Sequence, residues 1–219
     1  MTLHPALHAR SLVVAITGGS GAGKTALAGA LVDHYGESCG LLEMDSYYRH
    51  FDGLTARERE ALDWDSIETV DVGLLTEHLV ALGEGRRVDV PEFDFTVRLR
   101  SPRTTTFLPP RILVLEGMFA LAIDHVITTA DLKVFLDAPE HVRYQRRHDR
   151  DVATRGRSSD SIRDQWRTTV LPGHRTIVEP QRRRASLVVD GGQPIDGCLG
   201  DIIEHLDALL LQCPVSEAG

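Results

Sequence analysis

The chain is short of lysine, cysteine and aromatic residues, and it has no apolar run long enough to span a membrane. Lysine occurs only at Lys24 and Lys133, although Lys and Arg together number 24, and the formal net charge is −8. Sequence-independent binding to a nucleic-acid backbone needs a basic surface, so no nucleic-acid partner is expected. The three cysteines, Cys39, Cys198 and Cys213, are odd in number and lack metal-type spacing. They argue against a disulfide framework and fit a reducing, cytoplasmic setting. A spanning helix needs about 20 apolar residues. Neither that nor a signal-like pattern at the start of the chain is present, so no membrane partner is expected. A G-x-S-x-G elbow and a paired-cysteine motif are also missing, which leaves hydrolase and redox chemistry without support. The ten histidines form no metal pattern, and His148 and His174 read as surface residues. A length of 219 residues suits one α/β domain. That domain is expected over 11–212, with tails at 1–10 and 213–219.

One motif organises the rest. Gly18-Gly19-Ser20-Gly21-Ala22-Gly23-Lys24-Thr25 satisfies G-x-x-x-x-G-K-[ST]. An apolar run, Leu12–Ile16, precedes it and a helix-compatible stretch, Ala26–Tyr35, follows, which is the strand–loop–helix context that a phosphate-binding loop requires. The glycines let successive N–H groups point at phosphate oxygens, and the helix N-terminus adds positive potential. Lys24 can reach the outer phosphates, and the Thr25 hydroxyl can serve Mg²⁺. Residues Gly18 to Thr25 are therefore the expected nucleoside-triphosphate site.

Apolar runs alternate with helical patterns. Strands are expected at Leu12–Thr17, Gly40–Met44, Arg111–Leu115, Leu132–Leu136 and Ser186–Val189. Helices are expected at Lys24–Tyr35, Val72–Leu82, Glu140–Thr154, Ser161–Val178 and Ile195–Gln212. Short buried strands separated by helices predict a parallel sheet covered on both faces, in a P-loop kinase-like α/β fold. One stretch departs from the alternation. Arg87–Phe95 and Arg103–Leu108 read as a small β-hairpin, with Pro91 and Pro102 suited to edge positions. This excursion, within 87–108, could wall an acceptor site.

Several charged residues sit where ligands bind in such sheets, beyond the carboxyl ends of strands. Asp45 follows the second strand and is placed to take a proton from an acceptor hydroxyl, and a helix cap is an equal reading from position alone. Glu116 ends the third strand and fits a Mg²⁺ site. Twelve arginines fall between Arg143 and Arg184. Arg143, Arg146, Arg147 and Arg150 share a helix face, and Arg155 and Arg157 flank Gly156 on a loop that reads as a mobile lid over 153–160. Phosphoryl transfer needs such cations around the transferred group. A solvated basic face explains Arg143, Arg163, Arg167 and Arg182–Arg184 as well.

Taken in order, these motifs resemble the uridine kinase family, within the wider phosphoribulokinase/uridine kinase group, over about residues 11–191. The family pattern comprises the phosphate loop, D-S-[FY]-Y at Asp45–Tyr48 and V-P-x-Y-D-F at Val90–Phe95. It continues with a strand ending E-G at Glu116-Gly117, the R-R-x-x-R-D-x-x-x-R-G-R lid at Arg146–Arg157 and a Q-Y pair at Gln165-Trp166. The resemblance implies a catalytic base at Asp45 and Mg²⁺ at Thr25 and Glu116, with ATP as donor. It implies catalytic roles for Lys24, Arg150, Arg155 and Arg157 on the phosphates or the lid. It also implies an acceptor pocket of Tyr48, Trp64, Asp65, Phe93, Phe95, Arg147 and Gln165, in which Asp65 and Arg147 hold the ribose. Three positions depart from the family. Arg98 replaces the base-reading histidine, Phe93 lacks the tyrosine hydroxyl, and Ser66-Ile67 replaces H-P.

The expectation is thus an ATP- and Mg²⁺-dependent small-molecule kinase that transfers the γ-phosphate to a hydroxyl, by resemblance the nucleoside 5′-OH. The same machinery would also serve another acceptor: pantothenate, phosphoribulose, nicotinamide riboside or a modified nucleoside. A non-catalytic nucleotide-binding regulator is the reading from a different class. Partners are ATP and a small acceptor, and a homo-oligomer is left open.

Overall fold

Alternating side chains make the central strand apolar on both faces. A computed structural model of the chain describes residues 10–212, so the expected tails, apart from Arg10, lie outside the described residues, as does Cys213. The strands are β1 (Leu12–Gly18), β2 (Cys39–Glu43), β3 (Val88–Asp94), β4 (Leu99–Phe107), β5 (Ile112–Glu116), β6 (Leu132–Asp137) and β7 (Leu187–Asp190). In β1, Val14 and Ile16 join one buried cluster and Ala15 joins the other. Such two-sided burial is the signature of a parallel sheet with helices on both faces. The sheet is parallel throughout, in the order β2-β5-β1-β6-β7. All five expected core strands form, with ends shifted by about one residue.

Two helical layers cover it. The helices are α1 (Lys24–Tyr35), α2 (Ala56–Ala61), α3 (Val72–Gly83), α4 (Asp124–Thr129), α5 (Glu140–Arg155), α6 (Ser159–Gln165), α7 (Leu171–Gly173) and α8 (Ile195–Gln212). Leu27 and Leu31 of α1 pack with Ile202 and Leu206 of α8 on one face. Leu75, Leu79 and Leu82 of α3 pack with Val126 of α4 on the other.

The helix expected over Ser161–Val178 forms as one unbroken helical run from Ser159, but not as a regular α-helix. After α6 it passes through π-helical turns at Trp166–Val170 and His174–Val178, on either side of α7, and ends in a 3₁₀ stretch at Glu179–Arg184. Pro172, within α7, has no N–H to donate to the preceding turn, which loosens the α-helical hydrogen-bond ladder beside it. Two helices lie outside the sequence expectations, α2 and α4. Thr55 and Glu58 close α2 with a reciprocal capping box, a pattern present in the sequence as T-x-x-E.

The expected hairpin is β3 paired antiparallel with β4, with a register shift between Pro91 and Phe93. Its second strand starts at Leu99 rather than Arg103 and so contains Pro102, which a two-stranded ribbon tolerates at its outer edge. Arg100 ties this ribbon to the body. Its Nε donates to the Tyr48 carbonyl at 2.7 Å and its NH2 to Asp71 Oδ2 at 3.2 Å. The other oxygen of Asp71 caps α3, accepting from the Leu74 N–H at 3.1 Å. Replacing Asp71 with alanine removes both contacts and should lower the unfolding free energy by about 1–2 kcal/mol. Asp71→Asn keeps the cap and should lose less. Urea unfolding at neutral pH reads both variants, and an unchanged midpoint for Asp71→Ala would mean that water replaces the two bonds without loss.

Candidate active site

The phosphate loop connects β1 to α1 in a conformation that only its glycines permit. Gly21 has φ +80°, and a Cβ there would collide with the Arg143 carbonyl. Lys24 opens α1 with its Nζ 3.2 Å from the Gly19 carbonyl, along the loop. Burial holds the ammonium below its ordinary pKa, and Glu116 and Asp45 oppose that shift. Next to it, Thr25 Oγ1 donates to Glu116 Oε1 at 2.8 Å. Glu116 is 5% exposed, and burial pushes its carboxyl up to about 7, against the pull of Lys24 and with reinforcement from Asp45. A buried carboxylate short of positive charge, touching a hydroxyl, is a hard-oxygen donor pair that fits Mg²⁺.

Asp45 lies just beyond β2 in a 3₁₀ turn, Met44–Tyr47. It lines a cavity of about 380 Å³ between β2 and the hairpin, together with Glu43, Ser46, Phe93 and Phe95. Tyr48, Trp64, Phe93 and Phe95 form one aromatic cluster beside it. The Tyr48–Phe93 and Phe93–Phe95 ring centroids are 5.1 and 5.2 Å apart, and Tyr48–Trp64 are at 5.3 Å. Tyr48 OH donates to the Trp64 backbone carbonyl at 3.2 Å, and the Trp64 indole N–H donates to the Arg59 carbonyl at 2.8 Å, so each ring is held. Arg98 does not line the cavity. It sits in the hairpin turn with φ 55°, its NH1 3.5 Å from the Arg59 carbonyl.

The arginines of α5 converge on two buried carboxylates. Arg147 NH1 donates to Asp65 Oδ1 at 3.1 Å and to Ser20 Oγ at 2.8 Å, and its NH2 donates to Gln165 Oε1 at 3.0 Å. Asp65 Oδ2 accepts from Gln165 Nε2 at 3.1 Å. Asp151 is fully buried, and sequence reasoning assigned it no role. Arg150 NH2 contacts it at 2.8 Å, Arg157 NH1 at 3.3 Å, and Arg147 and Arg155 at 3.6 Å each. Burial opposes ionisation of this carboxyl, but Arg150, Arg147 and Arg155 outweigh it and hold the group below its usual range. Its signal was in the sequence, because Asp151 is four residues from both Arg147 and Arg155 on one helix.

The lid is shorter than expected. Arg155 is the last residue of α5, not a loop residue, and only Gly156–Ser158 separate it from α6. Gly156 takes the left-handed C-cap conformation, φ 60°, so the helix runs up to it before turning. From there the Arg155 guanidinium stacks 4.5 Å over the Phe95 ring, joining the end of α5 to the hairpin.

Of two expected surface residues, Arg143 is interior and His174 is half-buried. Arg143 is 3% exposed, donates through Nε to the Ala138 carbonyl at 3.1 Å and lies over the Trp166 ring. His174 lies beside it, and both crowd Gly19, where a Cβ would meet Arg143 NH1 and His174 Nδ1. Neither nitrogen has a hydrogen-bond partner among the described residues. Spacing placed Arg143 on a polar helix face, but the phosphate loop folds onto that face and buries it. Arg163, by contrast, makes the exposed pair with Asp160 that a solvated face predicts.

Burial, aided by the Arg143 charge, lowers the His174 pKa from 6.5 to about 4. A histidine in the unfolded chain protonates near pH 6.5, so between about 6.5 and 4 the unfolded state binds the extra proton and the His174 contribution to stability falls as pH falls, opposite in sign to that of Glu116, whose raised pKa makes the folded state bind the proton first. His174→Gln should flatten this part of the stability curve. Urea unfolding at pH 7 and pH 5 measures it, and an identical loss in parent and variant would show that His174 is not the titrating group.

Residues 13–196 match a family model described as the phosphoribulokinase/uridine kinase family. A uridine kinase of Macrococcus caseolyticus is 35% identical over 184 residues, which span 84% of this chain and 89% of that protein. A uridine kinase of Deinococcus deserti is 38% identical over 186 residues, spanning 84% and 90%. Among solved structures, phosphoribulokinase from Rhodobacter spheroides superposes with a TM-score of 0.60 at 18% identity, covering 85% of this chain and 74% of that one. At that identity the likeness is one of fold.

Proposed function

This chain belongs to the phosphoribulokinase/uridine kinase family and is an ATP-dependent kinase resembling uridine kinase, and from that premise we propose that it phosphorylates the 5′-hydroxyl of a pyrimidine nucleoside, uridine above all. The observation that carries the reading is the gathering of Lys24, the Thr25–Glu116 pair, Asp45 and the Asp151-bound arginines at the carboxyl ends of β1, β2 and β5.

Asp65, Arg147 and Gln165 bind and orient the sugar, and the aromatic cluster excludes water from its other side. Asp45 accepts the hydroxyl proton as the oxygen attacks the terminal phosphorus. Lys24, the loop amides and Arg150, Arg155 and Arg157 compensate the charge on the transferring group. Thr25 and Glu116 would hold Mg²⁺, which when bound neutralises the outer phosphates. The described residues include no helix long and apolar enough to cross a membrane, and a cytoplasmic setting fits the cysteine usage.

A single variant tests this. Asp45→Asn should bind ATP and uridine about as tightly as the parent and turn over roughly 10²–10⁴-fold more slowly. Turnover near the parental value in an ADP-release assay would remove Asp45 from the chemistry, and an equal loss of binding and rate would make it a positioning residue.

A second reading, with a different acceptor, is favoured by Arg98 and Phe93 at positions where the family reads the base. An arginine offers only donors and cannot accept from the cytosine amino group. Arg98 lies outside the cavity at the Arg59 carbonyl, so it reads the base only by turning inward from the hairpin; in that position cytidine should be a poor substrate beside uridine, and Arg98→His should gain cytidine activity. Equal kcat/KM for the two nucleosides would show that Arg98 does not read the base. Failure of both with the parent and the variant, in a screen that includes pantothenate, phosphoribulose and nicotinamide riboside, would move the acceptor outside pyrimidine nucleosides. ATP binding with no transfer to any acceptor would leave a regulator.

A further inference from the structure

The phosphate loop and the acceptor carboxylate share one guanidinium nitrogen. We infer that Ser20 is a positioning residue through which an occupied phosphate loop tightens the acceptor site, by way of Arg147 and Asp65. The inference rests on the reading of Asp65 as a ligand of acceptor hydroxyls.

Arg147 NH1 donates at once to Ser20 Oγ at 2.8 Å and to Asp65 Oδ1 at 3.1 Å. The Arg147 and Asp65 side chains are only 6% and 7% exposed, so water is a poor substitute for either bond. Asp65 is oriented from its other side by Gln165 at 3.1 Å and Thr169 at 3.3 Å, and Gln165 is itself held by Arg147. Moving Arg147 therefore removes a donor from Oδ1 and loosens Gln165 on Oδ2, which Arg157 continues to hold. The guanidinium also has a second seat. Its buried Nε has no hydrogen bond among the described residues, and it lies 3.6 Å from Asp151. The Ser20 contact draws Arg147 toward the loop, and without it the Asp151 side competes.

Ser20 stands between Gly19 and Gly21, which bring no side chains of their own to fix the turn, so its conformation is set by packing against Arg143 and by whatever the loop amides bind. Phosphates bound by the loop amides hold that backbone still and so fix the Ser20 hydroxyl. Arg147 and Asp65 are then ordered before the acceptor arrives, and the acceptor loses less conformational entropy on binding. The coupling is positive, and by linkage the acceptor tightens nucleotide binding by the same factor.

Calorimetric titration of uridine into the full chain, with and without saturating Mg²⁺ and a non-hydrolysable ATP analogue, tests this. The wild-type protein should bind uridine at least about fivefold tighter in the presence of the analogue. Ser20→Ala should bring that ratio close to one, and Ser20→Thr, which retains a hydroxyl, should keep it. A merely structural weakening would lower both affinities and leave the ratio unchanged. A wild-type ratio of one, or an alanine variant with the wild-type ratio, overturns the inference. Absence of uridine binding in either state of the wild-type protein overturns the functional reading first and this inference with it, which separates the two failures.

Discussion

The buried carboxylate of Asp151 holds together a group of cations that would otherwise repel one another. Four guanidiniums lie within 4 Å of it, from Arg147, Arg150, Arg155 and Arg157. Removing one partner from such a buried arrangement typically costs about 3–5 kcal/mol, because the remaining charges lose their compensation. Arg150, Arg155 and Arg157 are thereby held in place before any ligand arrives, with Arg155 over Phe95, whereas Arg147 is shared between Asp151 on one side and Ser20 and Asp65 on the other. Preorganised charge of this kind stabilises a phosphoryl group without reorganising during the reaction.

The two halves of the site are built to different standards of rigidity. The phosphate side is an outgrowth of the sheet, with Lys24 opening α1 and Thr25 bonded to the last residue of β5. The acceptor side hangs on a two-stranded ribbon outside the sheet, fastened by Arg100 and by stacked aromatic rings. Ring contacts of this kind are each worth about 0.5–1.5 kcal/mol, so this wall can change its side chains without disturbing the phosphate machinery. The departures at Phe93 and Arg98 fall on it, while the loop and lid motifs are intact.

Legibility from sequence follows the same division. The placement of the G-x-x-x-x-G-K-T motif between a strand and a helix, and of Asp45 and Glu116 at strand ends, was readable because each depends on neighbours within a few residues. The five core strands were readable because burial on two faces writes apolar runs directly into the chain. Arg143 and His174 were misread because their surroundings come from a loop more than a hundred residues earlier. Asp151 was passed over because an acid among arginines on a helix resembles any solvated face until the other elements close over it. The change of helix type after α6 had one visible contributor in Pro172, but π-helical turns depend on packing that residue type alone does not report.

The sequence by itself determined a parallel α/β sheet carrying a phosphate loop, a strand-end aspartate and glutamate, and an arginine-rich lid. Those features arise from local periodicity and from motifs whose geometry is set within a few residues. Only the tertiary structure decided which arginines face solvent, which carboxylate gathers them, and that Ser20, Arg147 and Asp65 meet. Burial and charge pairing between distant segments depend on how the layers close, and an arginine carries the same charge in the sequence whether water or Asp151 surrounds it in the fold.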